Sequence, residues 1–150
     1  MNFACFRTCM RDSGGVAAIE FAVMAGLLML MFILLTDLGL GVSAKMQVEN
    51  AAQYGAQYAF NNGYDASAIQ SAVESSSNLA ELNVTPTSFC GCPGGSGVTS
   101  QSDCATPCGD GSTPGEFVSV LVTHTYVPIL PYPGLQSGYA LSSQSTVRLK

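Results

Sequence analysis

One long apolar run dominates the pattern of hydrophobic and polar positions along the chain. Residues 21–35 contain no polar side chain. Because a helix needs about 20 residues to cross a hydrocarbon core of about 30 Å, we predict a transmembrane helix over residues 16–43. Two carboxylates, Glu20 and Asp37, lie near its ends. A charged group at the centre of such a helix costs roughly 2.5 to 3.5 kcal/mol on insertion scales, so Glu20 is a candidate functional residue although its end position is less costly.

A helical pattern continues beyond the apolar run. Small and apolar residues recur at intervals of three and four up to Ala59, which predicts an external continuation of the helix over residues 44–62. Asn61-Asn62-Gly63 then supplies a left-handed residue that ends it. Ala51, Gly55 and Ala59 form a small-residue stripe that lets another backbone approach closely. This stripe packs either on the chain's own sheet or on another subunit.

The remaining residues, 63–150, predict an external α+β head. Asp65 is suited to cap a short helix over residues 66–76. Alternating patterns predict an antiparallel sheet of about three strands, the second central and the third at an edge. The glycine-rich stretch from Gly91 to Gly97 is interpreted as a loop. The predicted strands cover residues 82–89, 116–127 and 139–149.

The six cysteines fall into two groups. Cys5 and Cys9 precede the apolar run, and the other four, Cys90, Cys92, Cys104 and Cys108, lie in a predicted disulfide loop over residues 90–108. An even number in an oxidising compartment predicts two disulfides; three connectivities exist, and a Cys90–Cys92 bond is disfavoured. One residue between Cys90 and Cys92 is too few for a usual zinc pair, so we predict no metal and no cofactor.

The distribution of charged residues argues against nucleic-acid binding and predicts the orientation of the chain in the membrane. The net charge is −5, and the five basic residues form no cluster, so nucleic-acid binding is not expected. Arg7 and Arg11 precede the apolar run, which places the N-terminus in the cytoplasm. His124 has no acidic neighbour in sequence, and no set of nucleophile, base and orienting residue can be assembled. We therefore predict neither an enzyme nor a small-molecule substrate.

Several motifs carry a resemblance to a known family. Gly-Val-Ala-Ala-Ile-Glu-Phe-Ala from Gly15 opens the apolar run, Asp37-Leu38-Gly39 follows it, and residues 48–59 read Val-Glu-Asn-Ala-Ala-Gln-Tyr-Gly-Ala-Gln-Tyr-Ala. This arrangement resembles the TadE-like minor pseudopilins of the tight-adherence (Tad) pilus system. The resemblance covers most of the chain and is strongest over residues 14–60.

The resemblance implies how the N-terminus is used. A membrane prepilin peptidase would cut the Gly15–Val16 bond, which makes residues 1–15 a leader and Glu20 the fifth residue of the mature chain. Glu20 would then pair with the free amine of a neighbouring subunit and set its register during assembly. One departure is that only Arg11 lies near the cut and Asp12 offsets it, where the family often has several basic residues.

The same resemblance implies location and partners. The chain would be a single-pass protein of the inner (cytoplasmic) membrane, with its C-terminal domain in the periplasm or outside the cell, and would take part in assembling an adhesive Flp-type pilus. Its partners would be the membrane, the prepilin peptidase, other pilin and pseudopilin subunits and the assembly platform.

Two alternatives come from other classes of protein. The first is a secreted, soluble, disulfide-bonded protein whose signal peptide ends near Ala44. The second is a membrane-anchored redox or metal-binding protein that uses the external cysteines. The first alternative leaves Glu20 without a role and divides a continuous helical pattern.

Overall fold

The structure is a computed structural model and describes residues 13–95, 97–130 and 137–149. The chain divides into two compact units, Met1–Leu40 and Gly41–Lys150. The helices are α1 (Ser13–Asn62) and α2 (Ala66–Ser76), and the strands are β1 (Asn83–Gly94), β2 (Gly97–Gln101), β3 (Gly115–Tyr126) and β4 (Tyr139–Arg148). The α+β class is therefore confirmed, and the sheet has four strands where about three were expected.

Helix α1 begins at Ser13, three residues before the predicted start. Ser13-Gly14-Gly15, which precede the predicted helix, are therefore helical. A glycine inside a helix costs only about 0.5 to 1 kcal/mol relative to alanine. The first four N–H groups of a helix have no partner within it. When α1 starts earlier, the carbonyl groups of the added residues accept hydrogen bonds from N–H groups one turn later in the helix.

The part of α1 that belongs to the first unit exposes apolar side chains on all sides. Phe21, Leu28 and Phe32 are 74, 64 and 69% exposed. Within the described residues, Gly15–Asn62 is the one helix long and apolar enough to cross a membrane, judged by length and composition. A helix that is apolar all round requires an apolar environment.

Both ends of the short connection between the helices have the predicted geometry. Gly63 has φ of +85°, and its N–H donates to the Ala59 carbonyl at 2.8 Å. Asp65 caps α2 by accepting hydrogen bonds from the N–H groups of Ser67 and Ala68, both at 3.0 Å. These hydrogen bonds satisfy backbone groups at the end of one helix and the start of the next.

The strands form one antiparallel sheet in the order β2-β1-β3-β4. The predicted central strand is β3 and the predicted edge strand is β4, so both positions are confirmed. Strand β1 passes through Pro86, which pairs with Val120. Strand β2 contacts only residues 90–94 of β1. Pro86 thus lies where β1 has β3 as its single strand neighbour, a position in a sheet that tolerates proline.

The interpretation of Gly91–Gly97 as a loop is wrong. Strand β1 continues to Gly94, and the chain turns into β2 at Gly97, which has φ of +121°. A β-carbon on Gly91 would collide with the Val98 side chain, so the close approach of the two strands there requires glycine. The glycines that suggested irregular structure are the residues that a tight hairpin needs.

The core of the second unit lies where α1 and α2 cover one face of the sheet. Its centre is a row on β3, Val118, Val120 and Val122, each with no exposed surface. Burying one such side chain stabilises the fold by about 1.5 to 3 kcal/mol. The helical contribution comes mainly from small and β-branched residues: Ala44, Val48, Ala51, Ala52, Ala59, Ile69 and Val73.

Candidate functional site

The predicted processing bond lies near the start of α1. Gly15 and Val16 are both helical, and Val16 is 55% exposed. The rest of the predicted leader, residues 1–12, lies outside the described residues, and with it the thiols of Cys5 and Cys9 and the charges of Arg7, Arg11 and Asp12. Among the described residues, the bond is not enclosed by other parts of the chain.

Glu20 lies one turn beyond that bond on the exposed surface of α1. Its neighbours Ile19 and Phe21 are 67 and 74% exposed. No hydrogen bond or ion pair within the described part of the chain involves the Glu20 carboxylate. A carboxylate in an apolar segment is costly without a partner, and the described residues supply none for Glu20.

Asp37 differs from Glu20 because its side chain is only 4% exposed. The preceding residue, Thr36, donates its hydroxyl to the Phe32 carbonyl at 2.9 Å, which satisfies that polar group within the helix.

The small-residue stripe packs inside the second unit. Ala51 and Ala59 are 3 and 0% exposed. A β-carbon on Gly55 would lie 2.6 Å from Val73 Cγ2 on α2 and 2.9 Å from Val120 Cγ1 on β3. Of the two interpretations left open, the structure therefore favours docking on the chain's own sheet over packing between subunits.

The four cysteines of the head form two disulfides, Cys90–Cys104 and Cys92–Cys108, which confirms that number and gives the connectivity. Cys90 and Cys92 are two residues apart on β1, so both side chains point to the same face. The segment after β2 passes that face and supplies the two partners. Because all four thiols are bonded, none is available as a thiolate ligand for zinc.

Two aspartates, Asp103 and Asp110, shape the turns next to Cys104 and Cys108. The backbone N–H of Thr106 donates to Asp103 at 2.8 Å and holds the pKa of this carboxyl below its ordinary value. The Ser112 hydroxyl donates to Asp110 at 2.7 Å and lowers the pKa of Asp110 in the same way. Both groups are fully exposed, so their role is to order the turns.

Sequence reasoning missed two contacts made by α1 where it leaves the apolar run. Lys45 donates to the Ser142 carbonyl on β4 at 2.6 Å and pairs with Glu49 at 3.2 Å. A β-carbon on Gly41 would lie 2.5 Å from the Tyr139 hydroxyl oxygen. The signal for the second contact was a glycine in a helix with no turn to explain it.

Metal-binding residues are not clustered in the described part of the chain. That part contains no group of three or more His, Cys, Asp or Glu residues able to hold a metal ion. His124 is half-buried on β3. The residues with possible functional chemistry are thus concentrated on the N-terminal part of α1.

A family comparison matches this same part of the chain. The model of the TadE-like protein family matches residues 15–57, which include Glu20 and most of the small-residue stripe. Residues 15–57 of this chain are therefore similar to the TadE-like family. That family belongs to the Tad pilus system and is not an enzyme family, and the matched segment overlaps the candidate membrane span.

The TadE-like match ends before the head. Searches of curated proteins and of solved structures returned no significant match. The family assignment therefore depends on α1, and the four-stranded sheet with its two disulfides is described from this structure alone.

Proposed function

We propose that this TadE-like chain is a minor pseudopilin that is cut by a prepilin peptidase at Gly15–Val16 and takes part in assembling an adhesive Tad pilus. It is held in the inner membrane by α1, with its N-terminus in the cytoplasm and its head on the other side. The single observation that carries the proposal is an exposed carboxylate, Glu20, five residues after the bond, inside the segment matched by the family.

Cleavage would create the partner that Glu20 lacks within the described chain. The new α-amine at Val16 is positively charged and lies at the same membrane depth as the Glu20 of a neighbouring subunit. Two unit charges 4 Å apart attract by about 4 kcal/mol at an effective dielectric constant of about 20. That is comparable with the roughly 2.5 to 3.5 kcal/mol that a lone carboxylate costs in a membrane helix, so pairing can offset the cost and fix the register.

The packing of the stripe limits which surface is left for other subunits. The stripe, Ala51, Gly55 and Ala59, is buried within the second unit. Contacts with the membrane helices of other subunits would therefore be made by the part of α1 that belongs to the first unit. That segment contains Gly26, and no atom lies within 4 Å of the position its β-carbon would take. Small residues of this kind let membrane helices approach each other closely.

The two alternative functions fit the structure less well. A signal peptide ending near Ala44 would cut α1 in the middle of a continuous helix and separate Ala44, a 4% exposed core residue, from its C-terminal neighbours. A redox or metal-binding protein would need free external thiols, and the described structure bonds all four.

The proposal is tested by replacing Glu20 in cells that make the native pilus. Glu20→Gln and Glu20→Ala remove the charge while leaving the cleavage bond intact. We expect both variants to be processed normally, as read from the mass of the mature chain, and to lose piliation. The control is Glu74→Gln, which removes an exposed carboxylate from α2. Normal piliation by Glu20→Gln would show that the assembly role is wrong.

A further inference from the structure

A compact apolar patch lies at the end of the sheet where β3 leaves and β4 returns. We define it as the interfacial patch, formed by Tyr126, Val127, Ile129 and Tyr139. Val127 and Ile129 are 61 and 60% exposed, and Tyr139 is 37% exposed. The two tyrosine rings lie 5.5 Å apart at a tilt of 57°. Among the described residues of the head, Val127 and Ile129 are the most exposed of the large apolar side chains.

The interfacial patch contacts α1 at Gly41. Around Gly41, the nearest side chains are those of Tyr139 and Tyr126, 2.5 Å and 3.6 Å from the position of its β-carbon. Gly41 lies two residues before the end of the predicted membrane span, residues 16–43, so the side chains packed on Gly41 lie beside the end of that span.

The strands that carry the interfacial patch contribute no charge to it, and on α1 the charged residues Asp37 and Lys45 lie one turn before and one turn after Gly41. Residues 117–147 contain no Asp, Glu, Lys or Arg. The charged residues nearest in sequence, Glu116 and Arg148, lie at the opposite end of β3 and β4, where Arg148 pairs in register with Phe117. Tyrosine is suited to the boundary of a bilayer because its ring is apolar and its hydroxyl is polar.

We propose that the interfacial patch docks the head onto the lipid bilayer, with Val127 and Ile129 inserted at the boundary between headgroups and acyl chains and the two tyrosines at headgroup level. This docking fixes the head against the membrane before the subunit is extracted for assembly. It depends on the membrane-spanning part of the proposed function and adds a second, independent contact with lipid. The occupant is phospholipid, argued from the continuity of the patch with the membrane end of α1.

Single-tryptophan fluorescence tests the docking directly because the chain has no tryptophan of its own. Ile129→Trp and Val127→Trp each place a reporter in the interfacial patch of the full chain, reconstituted in phospholipid vesicles. Phe60→Trp is the matched control, because Phe60 is 58% exposed and lies about 28 Å beyond Gly41 along α1. Leu28→Trp reports on the membrane span. Lipids brominated near the glycerol end or near the terminal methyl give the depth of each reporter.

We expect the patch reporters to emit at shorter wavelength than Phe60→Trp and to be quenched most by bromines near the glycerol end. Leu28→Trp is expected to be quenched most by bromines near the terminal methyl. Unquenched patch reporters beside a quenched Leu28→Trp would overturn the docking and leave the membrane anchor standing. Blue-shifted but unquenched patch reporters would mean that protein, such as a second copy, covers the patch, which also overturns it.

Two further results are decisive. Equal quenching of Ile129→Trp and Phe60→Trp would overturn the proposal, because the head would then contact lipid without preference for the interfacial patch. An unquenched Leu28→Trp would contradict the membrane span itself, and so would be distinguished from a failure of the docking alone.

Discussion

The packing of Gly55 gives the sharpest stability prediction, because it decides how the small-residue stripe is used. In Gly55→Val, the β-carbon alone would lie 2.6 Å from Val73 and 2.9 Å from Val120, and two methyl groups would extend further into the core. Overpacking of a core typically costs 1 to 3 kcal/mol, and this site lies between two fully buried side chains. A gain of about 0.3 kcal/mol from replacing a helical glycine offsets little of that.

We therefore expect Gly55→Val to destabilise the second unit by about 2 kcal/mol. With a shift of about 4 to 8 °C per kcal/mol, the midpoint of thermal unfolding should fall by about 8 to 16 °C. The assay is unfolding of the full chain in detergent, followed by circular dichroism. Gly39→Val makes the same change on the same helix where no atom lies within 4 Å, and should shift stability by less than about 0.5 kcal/mol.

The reasoning fails if Gly55→Val leaves the unfolding midpoint of the isolated chain unchanged but blocks assembly. That result would mean that the stripe packs between subunits, and that docking on the chain's own sheet is wrong.

Two further predictions concern the head. Each disulfide closes a loop of about 15 residues and should contribute about 3 kcal/mol to the stability of the head. Alkylation of the folded head should find none of its four thiols free. Mild reductant should open Cys90–Cys104 before Cys92–Cys108, because Cys104 is exposed and Cys108 is buried. Simultaneous reduction of both bonds would contradict this order. The second prediction concerns the cap of α2, where the Ala68 N–H and the Ser67 hydroxyl hold the pKa of Asp65 below its ordinary 3.8. The ionised cap stabilises the head above that ordinary pKa, and this contribution is lost as the pH falls through the lower folded value. Asp65→Ala should therefore lower stability at neutral pH, and Asp65→Asn should keep most of the cap while removing this part of the acid dependence; an unchanged acid profile in denaturant titrations of Asp65→Asn would refute it.

Local signals in the sequence were enough to predict several elements. Gly63 after two asparagines ends α1 because glycine adopts a positive φ without cost. Asp65 precedes α2 with a side chain that reaches the first free N–H groups. The alternation in residues 116–127 indicated a central strand because apolar groups occur on both faces. In each case the deciding interaction lies within a few residues or along one strand.

The features that were missed depend on contacts between distant residues. Strand β2 forms because Gly91 allows Val98 to approach, which the composition of the segment does not indicate. The close approach of Tyr139 to Gly41 is set by the tertiary fold. The pairing of Cys92 with Cys108 follows from the course of the chain after β2, so the sequence left three connectivities open.

The mature N-terminus is the measurement that tests the central claim most directly. The protein would be isolated from its native membrane, and its intact mass and N-terminal sequence determined. A chain that begins at Val16 is the predicted result and makes Glu20 its fifth residue. A chain that begins at Lys45 would support the secreted alternative and contradict the pseudopilin proposal. A chain that retains Met1 would show that no processing occurs.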